Sequence, residues 1–341
     1  MFFLALFAFS AAFLLTNIIR HYALSHNVLD IPNQRSSHTT PTPRGGGLAI
    51  VLSFAIACAF LFVNSELKPA ELAALSSCLL AALIGFIDDH QHVAAKWRIM
   101  VHFSAALSAL YFAGGFSELL LPLPLDKLTG THIADLSWAG FIPGTVLLVW
   151  CLNLFNFMDG SDGIAASEAI FVSAGLAGFL YVINDALFKP AICLAAACLG
   201  FLCWNWPKAR IFMGDAGSGF LGLLLGLLII LAARQDTVLL YCGLILFGIF
   251  VADASYTLSV RFRTGQKWYE AHCSHAYQRA ARRFGHLPVL IGCWLINLCW
   301  LLPIALLVFI YPDYALLGLI ISYLPLLYLA FRFKAGRAAL N

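Results

Sequence analysis

Only 11% of the 341 residues are charged while 62% are hydrophobic, and the mean hydropathy is +0.88; a soluble domain carries about 25% charge. The chain therefore reads as a single all-α integral membrane domain over 1–341, and the ordinary soluble enzyme classes are excluded. A net charge of +3 says little by itself, no nucleic-acid partner is expected, and ten cysteines lying mostly in apolar runs without a C-x-x-C pair argue against a disulfide framework or a zinc site.

Taken in order, the apolar runs predict about eleven transmembrane helices (ten or eleven): 2–19, 47–63, 71–87, 99–115, 138–155, 165–183, 190–206, 219–233, 238–260, 288–310 and 314–331. The first has no basic residue ahead of it and Arg20 after it, which fits a retained span with its N-terminus outside rather than a signal peptide. On this layout sixteen of the twenty Lys and Arg residues fall on one side, and only Lys68, Lys127, Lys189 and Arg234 on the other. The positive-inside rule then puts the C-terminus in the cytoplasm. The outer segment 116–137 is weakly polar and suits a short hairpin or an interfacial stretch. Gly222 and Gly226 form a small-x-x-x-small pair, read as helix packing.

Five polar constellations share the inner face. The first loop, Asp30 to Gly47, is stiffened by prolines and ends in Gly45-Gly46-Gly47. A glycine-rich helix start with free N–H groups binds anions, and Arg35, His38 and Arg44 add donors. The plain alternative is a basic loop and a helix start. Asp88-Asp89 closes the third span. Two adjacent carboxylates at a helix C-terminus oppose both each other and the macrodipole, which calls for a cation or a proton.

In Asn153-x-x-Asn156-x-x-Asp159-Gly-x-Asp162-Gly163 the asparagines share one helix face. Each step of three falls about 60° short of a full turn, so the aspartates must line a turned loop. Glycines at 160 and 163 allow the turn and the approach of a bulky anion or metal. Lys208-x-Arg210 leads to Met213-Gly-Asp215-x-Gly-Ser218, where a glycine-flanked carboxylate suits magnesium bridging phosphate oxygens; an N-cap is the plain alternative. The last loop carries His272 and His275 beside Arg261, Arg263, Arg279, Arg282 and Arg283. The histidines fit as donors to phosphate or sugar oxygens better than as a zinc pair, and the arginines also suit anionic membrane lipid. Asp253, inside the ninth span, fits a secondary transporter better than the other carboxylates do, but no internal repeat supports a transporter, and it reads as a helix-packing or substrate-groove carboxylate near the cytoplasmic end.

Together the motifs between residues 30 and 286 resemble the polyprenyl-phosphate N-acetylhexosamine-1-phosphate transferase family. The matching pieces are Pro41-Thr-Pro-Arg-Gly-Gly-Gly47, Asp88-Asp89, the Asn153–Gly163 motif, Met213–Ser218 and the His272/His275 loop, in the family's order. His272-Cys-Ser-His275 and the wording around Asp162 are most similar to the O-antigen-initiating bacterial branch; phospho-MurNAc-pentapeptide translocase-type activity is the alternative within the family. The resemblance implies a cytoplasmic active site in a bacterial inner membrane. The implied reaction transfers N-acetylhexosamine-1-phosphate from a UDP-N-acetylhexosamine to undecaprenyl phosphate, releasing UMP. It implies a magnesium cofactor, replaceable by manganese, on Asn156 and Asp215. Asp88 and Asp89 would orient or deprotonate the lipid phosphate. Asp159, Asp162 and His275 would serve the reacting groups, and Arg35, Arg44, Gly46, Asn153, Lys208, Arg210 and His272 would bind substrate. A homodimer is compatible with it.

Overall fold

Runs of Leu, Ile, Phe and Ala in lipid must satisfy their own backbone groups, and a helix is the way a single segment does so. The computed structural model describes residues 1–32, 40–91, 93–267 and 272–337, and it is built that way. Helix α1 (Phe2–Ser25) leads to a two-stranded antiparallel ladder, β1 (Leu29–Asp30) with β2 (Thr42–Pro43), and then to α2 (Gly47–Val63). Helices α3 (Pro69–Ser77) and α4 (Leu79–His90) follow one another as one span, and α5 is Ala95–Phe112. The 116–137 segment is indeed a hairpin, β3 (Glu118–Leu120) on β4 (Ile133–Asp135), with the short α6 (Leu125–Thr129) between the strands.

Next come α7 (Phe141–Met158), α8 (Ile164–Val182), α9 (Phe188–Asn205) and α10 (Asp215–Gln235). Helices α11 (Leu239–Leu246) and α12 (Gly248–Arg263) meet at Phe247 with a bend of 71°. The chain ends with α13 (Ala276–Phe284), α14 (His286–Ile296), a π-helical turn at Asn297–Leu301, α15 (Leu302–Ile310) and α16 (Ala315–Arg332).

Every expected span coincides with a helix, but the count of eleven does not stand on length and composition. Among the described residues eight helical segments are long and apolar enough to cross a membrane, or nine with the bent α11–α12 pair. Helix α2 has 17 residues, and α5 carries Lys96, Arg98 and His102 in its first half. The chain is a multi-pass membrane protein.

Helix α10 is the axis. From Ala216 to Ala233 every residue is buried, as the all-round apolar sequence demands. Its neighbours approach at backbone distance. A Cβ on Gly222 would stand 2.5 Å from the Cys151 carbonyl oxygen, and one on Gly226 would stand 3.0 Å from the Cys151 Cβ, so this pair packs α10 on α7. Gly217 meets Gly47 of α2 in the same way, and Gly85 of α4 lies against the Asp215 carbonyl. These contacts draw the C-terminal ends of α4 and α7 and the N-terminal ends of α2 and α10 to one end of the bundle, which is where the polar motifs lie.

Candidate active site

Asp215 opens α10, and three elements converge on it. From α7, the Asn156 amide nitrogen donates to Asp215 Oδ1 at 3.1 Å and to Ser218 Oγ at 2.9 Å. From α5, Arg98 Nη1 lies 3.4 Å from Asp215 Oδ2 and 2.6 Å from Asp88 Oδ2. From α4, Asp88 places its carboxylate beside that of Asp215, within reach of the same Arg98 nitrogen. Asp88 Oδ1 also accepts the Val93 N–H at 2.7 Å. Two carboxylates in contact repel strongly, and the Arg98 guanidinium between them offsets that.

The acidic pair at the end of α4 is divided between two tasks. Asp89 is 3% exposed, and its two oxygens accept the successive N–H groups of Asp215 at 3.1 Å and Ala216 at 3.2 Å. These are orphan donors at a helix start, where the dipole favours an anion. The pair's unfavourable position at its own helix end is thus compensated twice, by the start of α10 and by Arg98. The Arg44 guanidinium donates to the Asp89 carbonyl oxygen, and its Nε lies 4.0 Å from Asp89 Oδ1.

The glycine-rich loop differs from the sequence reading. The N–H of Gly46 donates to the Phe212 carbonyl at 2.9 Å and that of Gly47 to the Met213 carbonyl at 2.8 Å, while Phe212 N–H donates to the Pro43 carbonyl. Two of the N–H groups expected to be free at this helix start, those of Gly46 and Gly47, are taken by the segment leading into Asp215. A Cβ at Gly46 would lie 2.7 Å from the Phe201 ring, so Gly46 is a packing residue. Arg35 and His38 lie outside the described residues.

Past Asn156 the helix ends and the chain turns, as expected, with Gly163 at φ +75°. Asn153 stays on α7, where its amide nitrogen donates to the Val149 carbonyl at 2.7 Å, back onto its own helix. Burial pushes the Asp159 carboxyl well above the usual carboxylate range, and repulsion from Asp215 and then Asp89 adds to it. Asp162 turns the other way. Its Oδ2 accepts the Ala209 N–H at 3.1 Å and lies 3.2 Å from His286 Nδ1. It borders a cavity of about 460 Å³ lined also by Thr42, Lys208, Phe212 and His286. Arg210 lies over the Trp204 ring, 5.7 Å from its centroid. The Gly163 N–H donates to Asn205 Oδ1 at 2.9 Å, which anchors the turn to the end of α9.

The histidines complete this end. The His272 and His275 rings stack at 4.9 Å, and Phe157 lies 6.3 and 6.2 Å from them. Burial, then His275 and Arg261, push the His272 pKa down to about 3. Tyr277 donates its hydroxyl to the Phe157 carbonyl at 3.0 Å; burial raises its phenol, and Asp253 and Asp159 raise it further. Asp253 is not the free intramembrane carboxylate that a transporter would use. Its oxygens accept from the N–H groups of Ala276 and Tyr277, each at 2.9 Å, and from Thr257 Oγ1 at 3.0 Å. Sequence reading assigned no role to Arg98, Ser218, Asn205, Tyr277 or His286. Only Ser218 carried a signal, as a member of the Met213–Ser218 motif.

Among the described residues no three His, Cys, Asp or Glu side chains form a ready-made metal cage. Magnesium does not require one, since it is commonly held by one or two carboxylates, waters and substrate phosphates. Asp88 and Asp215, in contact, provide that donor set. Asn156 faces Asp215 with its NH2, a donor that orients the carboxylate; only its Oδ1 could ligate a cation.

The model of glycosyl transferase family 4 matches residues 71–233, which contain all of these carboxylates except Asp253. The phospho-N-acetylmuramoyl-pentapeptide-transferase of Neisseria gonorrhoeae is 30% identical over 297 residues, covering 75% of this chain and 77% of that protein. The decaprenyl-phosphate N-acetylglucosaminephosphotransferase of Mycolicibacterium smegmatis is 32% identical over 244 residues, covering 65% of this chain and 58% of that protein. The probable undecaprenyl-phosphate N-acetylglucosaminyl 1-phosphate transferase of Bacillus subtilis is 25% identical over 270 residues, covering 78% and 73%. The chain thus spans little more than half the length of the mycobacterial relative.

Proposed function

The chain belongs to glycosyl transferase family 4, the polyprenyl-phosphate hexosamine-1-phosphate transferases, and from that premise we propose that it transfers N-acetylhexosamine-1-phosphate from a UDP-N-acetylhexosamine to undecaprenyl phosphate, releasing UMP. The observation that carries the reading is the contact between Asp88 and Asp215 under Arg98, at the head of a fully buried helix. Charge is concentrated there at one end of an apolar bundle, where a lipid phosphate and a water-soluble diphosphate can meet.

In this reading an oxygen of the lipid phosphate bonds to the sugar-bearing phosphorus as the bridging P–O bond breaks, and the electron pair leaves with UMP. Asp88 and Asp215 would hold magnesium, and Asn156, itself bonded to Ser218, fixes the angle of Asp215. Bound there, magnesium would withdraw charge from the diphosphate and improve UMP as a leaving group. Arg98 and Arg44 draw the two anionic substrates together. The cavity beside Asp162, with Lys208, Phe212 and His286, takes the nucleotide. His272 and His275 lie on the sugar side. Asp89 is a weak candidate for a covalent phospho-enzyme, because both its oxygens are engaged by backbone N–H groups.

A cytoplasmic site and a bacterial inner membrane belong to this proposal, supported by the sixteen-to-four charge asymmetry and the bacterial relatives. So does a role in starting O-antigen or a related envelope polysaccharide, supported by the His272-Cys-Ser-His275 wording. The test is UMP release by detergent-purified protein with undecaprenyl phosphate, magnesium and a panel of UDP-N-acetylhexosamines. Release that requires lipid, metal and Asp215 is expected, and the best donor names the sugar. Release unchanged in Asp215→Ala would overturn the assignment of the site.

A further inference from the structure

Asp253 stands outside the transferase motifs in the sequence, and its surroundings give it a definite role. It projects from α12, 6% exposed, toward the start of α13. Oδ2 accepts the Tyr277 N–H, and Oδ1 accepts the Ala276 N–H, the Thr257 hydroxyl and, at 3.3 Å, meets His275 Nδ1. A carboxylate has acceptor capacity for all of these and no proton of its own to offer, so His275 Nδ1 must carry the hydrogen of that contact. The neutral ring then has its lone pair on Nε2.

That second nitrogen is the unusual one. His275 is 1% exposed, and its Nε2 has no hydrogen-bond partner among the described residues. A buried ring nitrogen without a partner is costly unless a ligand supplies one. The ring packs against those of His272 and Phe157, with the Tyr277 ring 5.8 Å away. The backbone of Phe157 runs on through Met158 to Asp159, and Tyr277 ties that backbone to α13. Burial, these ring contacts and the Asp253 contact hold the imidazole, and Asp253 sets its tautomer.

We propose that Asp253 is a positioning residue: it anchors the start of α13 and holds His275 as the Nδ1–H tautomer, so that Nε2 is presented to the transferred hexosamine phosphate as an acceptor for a sugar hydroxyl or, when protonated, as a donor to phosphate oxygen. The proposal rests on the transferase reading above for the identity of the ligand, but the geometry it asserts can be tested without it.

The first experiment is ring-15N histidine NMR of the detergent-solubilised full chain at a pH where the ring is neutral, with His275→Gln to assign the signal. A proton on Nδ1 and none on Nε2 is expected; the opposite tautomer would overturn the proposal whether or not the protein is a transferase. The second is a double-mutant cycle on kcat/KM for UMP release with Asp253→Asn, His275→Gln and the pair, each checked for folding by its melting temperature. If Asp253 acts through His275, Asp253→Asn lowers kcat/KM at least tenfold alone and changes little in the His275→Gln background. Losses that multiply would show a separate structural role and overturn the proposal. If the tautomer is as expected but the wild type releases no UMP from any donor, the transferase reading fails and takes the ligand assignment with it, leaving the anchoring geometry.

Discussion

Asp89 and Asp253 occupy the same relation to two different helix starts. Each is a buried carboxylate at one helix accepting two successive backbone N–H groups from the head of another, Asp215–Ala216 in one case and Ala276–Tyr277 in the other. In both cases the helix so anchored begins beside a proposed site residue, Asp215 and His275 respectively. The carboxylates thus hold the site together through the backbone.

For Asp89 this separates structure from chemistry. Asp89→Ala leaves two buried N–H groups without acceptors and should cost about 1–3 kcal/mol, with UMP release falling as Asp215 shifts. Asp89→Asn keeps one acceptor and should cost less. Thermal unfolding in detergent of the two variants checks the order; equal stability in Asp89→Ala and wild type would show that the anchor contributes nothing.

Arg98 stands between Asp88 and Asp215 as a cation would. Removing it leaves the two carboxylates more strongly in need of a counter-charge, so Arg98→Ala should bind magnesium more tightly than wild type while turning over more slowly. Titration calorimetry on the protein without either substrate reads the affinity directly. Weaker binding in Arg98→Ala would mean that the arginine organises the carboxylates rather than competing for them.

Much of this end of the molecule was legible from local sequence. The paired carboxylates, the turned Asp159–Gly163 loop, the 116–137 hairpin and the Gly222/Gly226 packing pair are short-range patterns, and each is present. What was not legible depends on partners far apart in the chain. Arg98 reaches Asp215 across 117 residues, and Asp253 reaches Tyr277 across 24. No periodicity records such pairings. The glycine loop is a case of the same kind: the Gly46 and Gly47 N–H groups look free until the segment at 212–213 is laid beside them. Two expected spans, α2 and α5, are helices that fall short on length or composition, where 17 residues or an Arg-bearing first turn sit at the margin of what a bilayer requires.

The pH response of stability should carry the signature of His272. Its pKa lies near 3 in the folded chain, against an ordinary value of 6.5, so between these values the unfolded chain binds a proton that the folded chain refuses. Stability therefore rises with pH through that window and falls on acidification below about 6.5, with a slope of at most about 1.4 kcal/mol per pH unit for this one proton. His272→Asn, which cannot take up that proton, should lose less melting temperature between pH 7 and pH 5 than wild type. Identical losses would place the acid sensitivity elsewhere.

Gly85 offers the sharpest test of how the bundle sets the site. Its Cα lies against the backbone of Asp215 and Ala216, and an added Cβ would stand 2.6 Å from the Ala216 nitrogen, closer than packed atoms allow. Gly85→Ala must push the end of α4 away from the head of α10, and with it move Asp88 and Asp89 relative to Asp215. The expected result is a loss of about 1–3 kcal/mol from overpacking and a larger loss of UMP release than that instability explains, because displacements of ångström size disrupt a site assembled from four helices. Gly178→Ala is the control, since a Cβ there meets nothing within 4 Å. Full activity in a folded Gly85→Ala protein would show that the Asp88–Asp215 contact is not what the reaction depends on.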